Sequence, residues 1–230
     1  MIRTLFSLTI LAAAALLAVG LNPALRAGDA PPASQPGAVV VARFLYSGGQ
    51  EAACFAEGFL TDVDRQSTVR VQRHLAPVEL SGGDLYRYPL AVMTGDKTLR
   101  LSADEKQAFK AYLSRGGFVL ASASCSETAW ADGFRALLAE LFPNQKLTAL
   151  PMTHPIFHRL YDIDRLVARK GSGQPVIYGL EIEGHLALVF SPLGLNDTAN
   201  AGPGCCCCGG NELRNAALVN ANIVIYTLTR

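Results

Sequence analysis

The sequence is short of charge. Only 17 % of its 230 residues are Asp, Glu, Lys or Arg. The 20 basic and 19 acidic residues are interspersed, with no basic stripe. Nucleic-acid binding needs a concentrated positive face, so the composition argues against that class of partner. Gly48-Gly49 and Gly82-Gly83 could approach a phosphate, but neither sits in a Walker or dinucleotide fingerprint, which discounts nucleotide binding. No internal repeat marks a solenoid. No Cys precedes Cys54, which argues against a lipoprotein anchor, and no Arg-Arg pair marks the twin-arginine route. What the chain has in plenty is apolar residues. They make up 50 % of it, enough to bury a sizeable core, and the length suits one domain or at most two.

The first 27 residues have the three parts of a secretory signal. Arg3 gives a positive start, and Leu5 to Leu21 is apolar apart from Ser7, Thr9 and Gly20. Asn22-Pro23 breaks the helix, and Ala24-Leu25-Arg26-Ala27 supplies the small-residue end. The apolar run is shorter than the roughly 20 residues of a spanning helix, so cleavage is expected in place of an anchor. Ala27 is the expected cleavage point and Ala30 the alternative. Removing residues 1–27 takes away Arg3 and Arg26 and no acid, which leaves 18 basic against 19 acidic residues. Residues 28–38 hold three prolines and read as a flexible linker. Residues 39–230 then form the α/β domain.

Along that domain, Val39 to Tyr46 reads as a strand buried on both faces. Glu51 to Val63 reads as a helix, and Thr68 to Gln72 as a second strand. Leu90 to Met93 and Phe118 to Ser122 are two further apolar strands. Ser102-Ala103-Asp104-Glu105 is a capping box that opens a helix running to Arg115, and Gly116-Gly117 ends it. Phe134, Leu137, Leu138, Leu141 and Phe142 share one helical face, closed by Pro143. Val176 to Ile182 and Leu186 to Phe190 form a hairpin through Glu183-Gly184-His185. A long C-terminal helix presents Leu213, Ala216, Ala217, Ala221, Val224, Ile225 and Leu228. Alternating strands and helices predict a mostly parallel sheet with helices on both faces. Ligands in such sheets bind outside the carboxyl ends of the strands, which singles out the loops Ser47–Gln50, Thr94–Lys97 and Ala123–Glu127.

Several blocks in this order resemble a known family. They are Phe44-Leu45-Tyr46-Ser47-Gly48-Gly49, then Tyr88-Pro89 and Met93-Thr94-Gly95. Leu101-Ser102-Ala103-Asp104-Glu105 follows, with Tyr112-Leu113, Gly116-Gly117-Phe118 and Cys125. His154-Pro155-Ile156-Phe157-His158, Tyr161-Asp162, Gly179-Leu180-Glu181-Ile182-Glu183-Gly184 and Ala221 to Thr229 complete the series. Over residues 39–230 the chain is similar to the DUF4159 family of unknown function. The resemblance implies a flavodoxin-like sheet of the class I glutamine amidotransferase-like kind, with no established activity. It also implies a neighbourhood of MoxR-type ATPases and von Willebrand A-domain proteins, and so envelope protein partners. After Gly48-Gly49 the family usually has Asp and Trp, where this chain has Gln50 and Glu51.

Three constellations could carry chemistry. Cys125 follows a buried strand and precedes a helix, where a thiolate gains from the helix dipole. With His154 or His158 as base it would make a nucleophile pair. Its flanks, Ala123-Ser124 and Ser126-Glu127, lack the glycines of a sharp elbow, and the plainer alternative is a small buried thiol. His154 and His158 stand four apart, the spacing of paired metal ligands on a helix. Against that, the pair lacks a third ligand, and His154 could equally cap a turn. Cys205, Cys206, Cys207 and Cys208 lie in a glycine-rich loop. In an oxidising compartment they suit disulfides with each other, Cys54 or Cys125. As soft thiolates they suit Zn(II) or Cu(I), and as a surface loop they need no role.

The leading expectation is an exported, non-catalytic binding or assembly module. The alternatives are a thiol- or metal-dependent hydrolase built on Cys125 with His154 or His158, and a metal-binding protein centred on Cys205–Cys208. The export signal predicts that mass spectrometry of the secreted protein finds a mature chain beginning near Gly28. An intact Met1 on a membrane-bound form is the contrary result.

Overall fold

A computed structural model describes residues 36–48, 55–124, 128–169, 174–196 and 213–230. The strands are β1 (Ala42–Leu45), β2 (Ala76–Glu79), β3 (Leu90–Gly95), β4 (Phe118–Ala123), β5 (Thr148–Ala149), β6 (Tyr178–Ile182) and β7 (His185–Ser191). The helices are α1 (Gly58–Gln66), α2 (Ala103–Ser114), α3 (Thr128–Leu141) and α4 (Ala216–Thr229). All seven strands join one sheet in the order β2-β1-β3-β4-β7-β6-β5. From β2 to β7 every pairing is parallel. The β7–β6 and β6–β5 pairings are antiparallel. This is the mostly parallel α/β sheet that the strand–helix alternation predicts, and it is consistent with the flavodoxin-like fold that the resemblance implies. Among the described residues no helix is long and apolar enough to cross a membrane.

The sheet has two buried faces because its strands alternate side chains between two cores. Val41, Leu90, Val92, Phe118, Leu120 and Val189 pack against α1, α4 and the turn at Ile156–Phe157. Ala42, Phe44, Met93, Val119, Ala121 and Phe190 pack against α2 and α3. On that second face Trp130 stacks on Phe134 with ring centroids 5.1 Å apart. Helix α4 is buried nearly all round, and Val219, Ala221, Ile223 and Val224 are each at most 1 % exposed. An amphipathic stripe is therefore too narrow a description of it.

Two expectations need correction. Thr68 to Gln72 forms no strand, because only Val71 touches the sheet, in a lone parallel bridge to Val39. The ladder beside β1 runs from Ala76 to Glu79 and includes Pro77. A proline is tolerated there because β2 is the edge of the sheet, where a missing N–H costs no inner hydrogen bond. The first helix begins at Gly58 and runs to Gln66, later at both ends than its apolar pattern predicts. Residues 51–54 lie outside the described residues, and Phe55 to Glu57 are not helical. Glu57 makes no side-chain capping bond, so the start carries no sequence signature.

The carboxyl edge is fixed by one carboxylate. Ser102 Oγ accepts from the Glu105 N–H at 3.2 Å, and Glu105 Oε2 accepts from the Ser102 N–H at 2.7 Å, which closes the expected capping box. Glu105 also reaches across to the exit of β1. Its Oε1 accepts from the Ser47 N–H at 2.6 Å and its Oε2 from the Ser47 hydroxyl at 2.8 Å. Burial pushes the Glu105 carboxyl up, but the hydrogen bonds from Ser102 and Ser47 outweigh it and hold its pKa below the ordinary 4.5. The clamp is thus fully present above that value and is lost as pH falls through the depressed one. Replacing Glu105 by Ala removes a cap and leaves the Ser47 and Ser102 amides without their acceptor. Urea unfolding at neutral pH should show a loss of about 1–2 kcal/mol. A loss under about 0.5 kcal/mol, the range of ordinary surface changes, would mean that the clamp holds nothing.

Candidate functional site

Three neighbouring strands end in hydroxyls. In register, Thr94 of β3 pairs with Ser122 of β4, and Ser122 pairs with Ser191 of β7. Strand alternation puts all three on the α1–α4 face, where Val92, Leu120 and Val189 precede them two residues earlier. Thr94 is 2 % exposed, and Ser122 and Ser191 are fully buried. The strands read as apolar runs, yet at this level the sheet presents a row of hydroxyls to α4.

The loop after β7 folds over this row. Ser122 Oγ accepts from the Leu195 N–H at 2.8 Å. Asn220, near the start of α4, donates from Nδ2 to the Leu195 carbonyl at 2.9 Å. Gly194 has φ +87°, and a Cβ there would overlap the Ala123 carbonyl oxygen, so only glycine lets the loop close on the end of β4. Asn196 follows, 1 % exposed.

Four polar atoms in this cluster are buried without a hydrogen-bond partner. They are Ser191 Oγ, Asn196 Oδ1, Asn196 Nδ2 and Asn220 Oδ1. Asp96, just past β3, adds one buried idle carboxylate oxygen. Other asparagines on the same helix behave differently. Asn222 Oδ1 accepts from the Leu160 and Tyr161 N–H groups at 2.9 and 2.8 Å, and its Nδ2 donates to the Tyr161 carbonyl. Asn215 clips the backbone at Arg165 and Val167 in the same way. A buried polar group left idle costs about 1–3 kcal/mol, and such groups in natural folds call for an explanation in function. Here they gather at the carboxyl edge, where α/β sheets bind ligands.

The two histidines stand apart from that cluster and are occupied. They flank a 3-10 turn, Pro155–Phe157. His154 caps the turn, its Nδ1 accepting from the Ile156 N–H at 3.2 Å, and its ring lies 5.6 Å from that of Tyr226. With Nδ1 as acceptor, the neutral ring carries its proton on Nε2 and is a donor there, not a base. Burial lowers its pKa; Glu181 opposes this and Arg159 reinforces it. His158 bonds Asp162 through Nδ1 and the Met152 carbonyl through Nε2. Both partners only accept, so both ring nitrogens donate and the imidazolium is the form that fits. The Asp162 carboxylate above all, and then the Met152 carbonyl, raise its pKa.

Cys125 and Cys205–Cys208 lie outside the described residues, as do Cys54, Gln50 and Glu51. Among the described residues no group of three or more His, Cys, Asp or Glu could hold a metal ion. Two open grooves of about 420 and 440 Å³ flank α3, on the sheet face opposite the hydroxyl row.

The model of a family described as a domain of unknown function, DUF4159, matches residues 41–228. The chain belongs to this family. No curated protein matches it. In this DUF4159 domain the described parts of the edge loops are legible in the sequence, whereas the partnerless Ser191, Asn196 and Asn220 are not. The available signal was a hydroxyl at the end of three otherwise apolar strands and two asparagines bordering apolar stretches.

The two histidines respond to pH with opposite signs. The contribution of His158 is full below its ordinary value of 6.5 and is lost as pH rises through the raised one. That of His154 is full above 6.5 and falls away as acid protonates the cap. Relative to a His158→Gln variant, the wild type should therefore lose stability as pH rises from about 6 to 8. Urea midpoints at stepped pH read this directly, and parallel curves for the two proteins would refute the His158 latch.

Proposed function

We propose that the chain is exported to the cell envelope, and that its DUF4159 domain acts there as a binding or assembly module. On this reading the class I glutamine amidotransferase-like frame is used for recognition in place of turnover. The observation that carries it is the set of partnerless hydroxyl and amide atoms of Ser191, Asn196 and Asn220 at the carboxyl edge. Such groups recognise a partner but do not move protons near neutral pH. The histidines available as bases support the same reading, since His154 caps a turn and His158 is a two-sided latch. The export half rests on the signal-like pattern of residues 1–27.

The test compares the purified mature protein with its Cys125→Ser variant. Both are assayed for thiol-dependent hydrolysis of amide and ester substrates, with bound metal measured in parallel. The expected result is the same background rate in both and no stoichiometric metal. Turnover that disappears in Cys125→Ser would establish a thiol hydrolase instead. Stoichiometric zinc or copper, lost when Cys205–Cys208 are replaced by Ser, would establish a metal-binding protein.

A further inference from the structure

We propose that Ser191, Asn196 and Asn220, at the carboxyl ends of β4 and β7, bind a small uncharged ligand that offers hydrogen-bond donors and acceptors together. This rests on the reading of the domain as a binding module and adds the chemical class of what it binds. The idle atoms define what such a ligand must offer. Asn196 Oδ1 and Asn220 Oδ1 can only accept, Asn196 Nδ2 can only donate, and the Ser191 hydroxyl does either. The orientation of Asn220 is fixed, because the Leu195 carbonyl requires a donor opposite it. The orientation of Asn196 does not matter, because both halves of its amide are idle.

Each class of guest can be set against that inventory. A carboxylate brings acceptors only. It would answer Asn196 Nδ2 and leave two carbonyl oxygens unpaired. An ammonium brings donors only and leaves Asn196 Nδ2 unanswered. A purely apolar guest answers nothing. A guest with adjacent hydroxyls, or with a primary amide, supplies donors and acceptors without charge and can satisfy all four atoms. The three residues are at most 1 % exposed, and in such surroundings each missed hydrogen bond costs most. The neighbouring bonds pre-organise the site. Ser122 and Asn220 hold Leu195 from either side and so fix the backbone that carries Asn196.

The experiment is thermal unfolding of the mature protein titrated with four probes: xylitol, malonamide, malonate and 1,3-diaminopropane. Asn196→Leu is measured alongside, so that any general co-solvent effect appears in both proteins and cancels. Xylitol or malonamide should raise the wild-type Tm saturably and leave Asn196→Leu without that increment. Xylitol alone points to a polyol ligand, malonamide alone to an amide. Ser191→Ala should weaken the same response by about tenfold in midpoint concentration, the effect of one lost hydrogen bond. Without probe, Asn196→Leu should melt at or above the wild-type temperature, because an idle amide is exchanged for an apolar group of similar volume. If it melts well below, the amide is structural, and both this proposal and the binding reading of the edge fall. If it is stable but no probe separates it from wild type, or a charged probe does, the ligand class alone is overturned.

Discussion

The carboxylate of Glu105 ties together the parts of this domain that define the carboxyl edge of its sheet. In a sheet ordered β2-β1-β3-β4, the chain leaves β1 toward one side and β3 toward the other, and the crevice between them is the switch point of the fold. Two loops that diverge there need a bond across the gap. Glu105 supplies it, because one buried side chain caps α2 and also takes both the amide and the hydroxyl of Ser47. With Ser47 fixed, Gly48 lies so close to Arg100 that a Cβ would overlap its carbonyl oxygen. One residue earlier, the Tyr46 hydroxyl donates to the Thr94 carbonyl at 2.8 Å and accepts from Trp130 Nε1 at 2.8 Å. Gly95 has no room for a side chain beside that pair. On the α2–α3 face this edge is therefore well bonded and closely packed.

The other face is organised by α4 and its asparagines. A helix this buried carries little directional information in its apolar side chains, because they are apolar on every side. Its position is set by polar clips. Asn215 and Asn222 hold the segment from Leu160 to Val167, and Asn220 holds the loop after β7. At its far end Arg230 reaches the Leu186 and Gly116 carbonyls and covers the Phe118 ring. Each clip joins side chain to backbone across a long sequence interval, so α4 acts as a strut between the two edges of the sheet.

This division explains what was legible in the sequence. The signals that could be read are local. Ser102 and Glu105 are three apart and form the capping box they suggest. Glu183 and Gly184 have φ of 52° and 78°, the two positive values that a two-residue hairpin turn demands. The apolar runs of β3 and β4 are inner strands because nothing polar interrupts them. β2 was hidden because Pro77 is permitted only by its place at the edge, which is a tertiary fact. The site was hidden for a stronger reason. Ser122, Ser191, Asn196 and Asn220 are scattered over about a hundred residues, and a lone Ser at the end of an apolar run usually means that a strand is ending. Only the parallel register sets Ser122 beside Ser191, and only α4 brings Asn220 to Leu195. His154 and His158 were visible as a pair through their spacing. That spacing serves the turn between them, with one ring as its cap and the other as its latch.

The two faces of the sheet differ energetically at this edge. On the α2–α3 side the polar groups at the strand ends are matched with partners, and aromatic rings fill the space behind them. On the α4 side, one strand further along, the Ser191 hydroxyl and the whole Asn196 amide are buried without partners. Stability alone gives no reason for that choice, since an idle buried amide is replaced at no cost by an apolar side chain of its size. Natural sequences depart from the locally best residue chiefly where function demands it. The cost here is confined to a few residues and lies at the edge where sheets of this topology recognise ligands. It is also surrounded by clips that keep the backbone fixed. A rigid frame around uncompensated hydrogen-bonding groups is the arrangement that recognition requires, because the guest then supplies the missing bonds without having to order the site first.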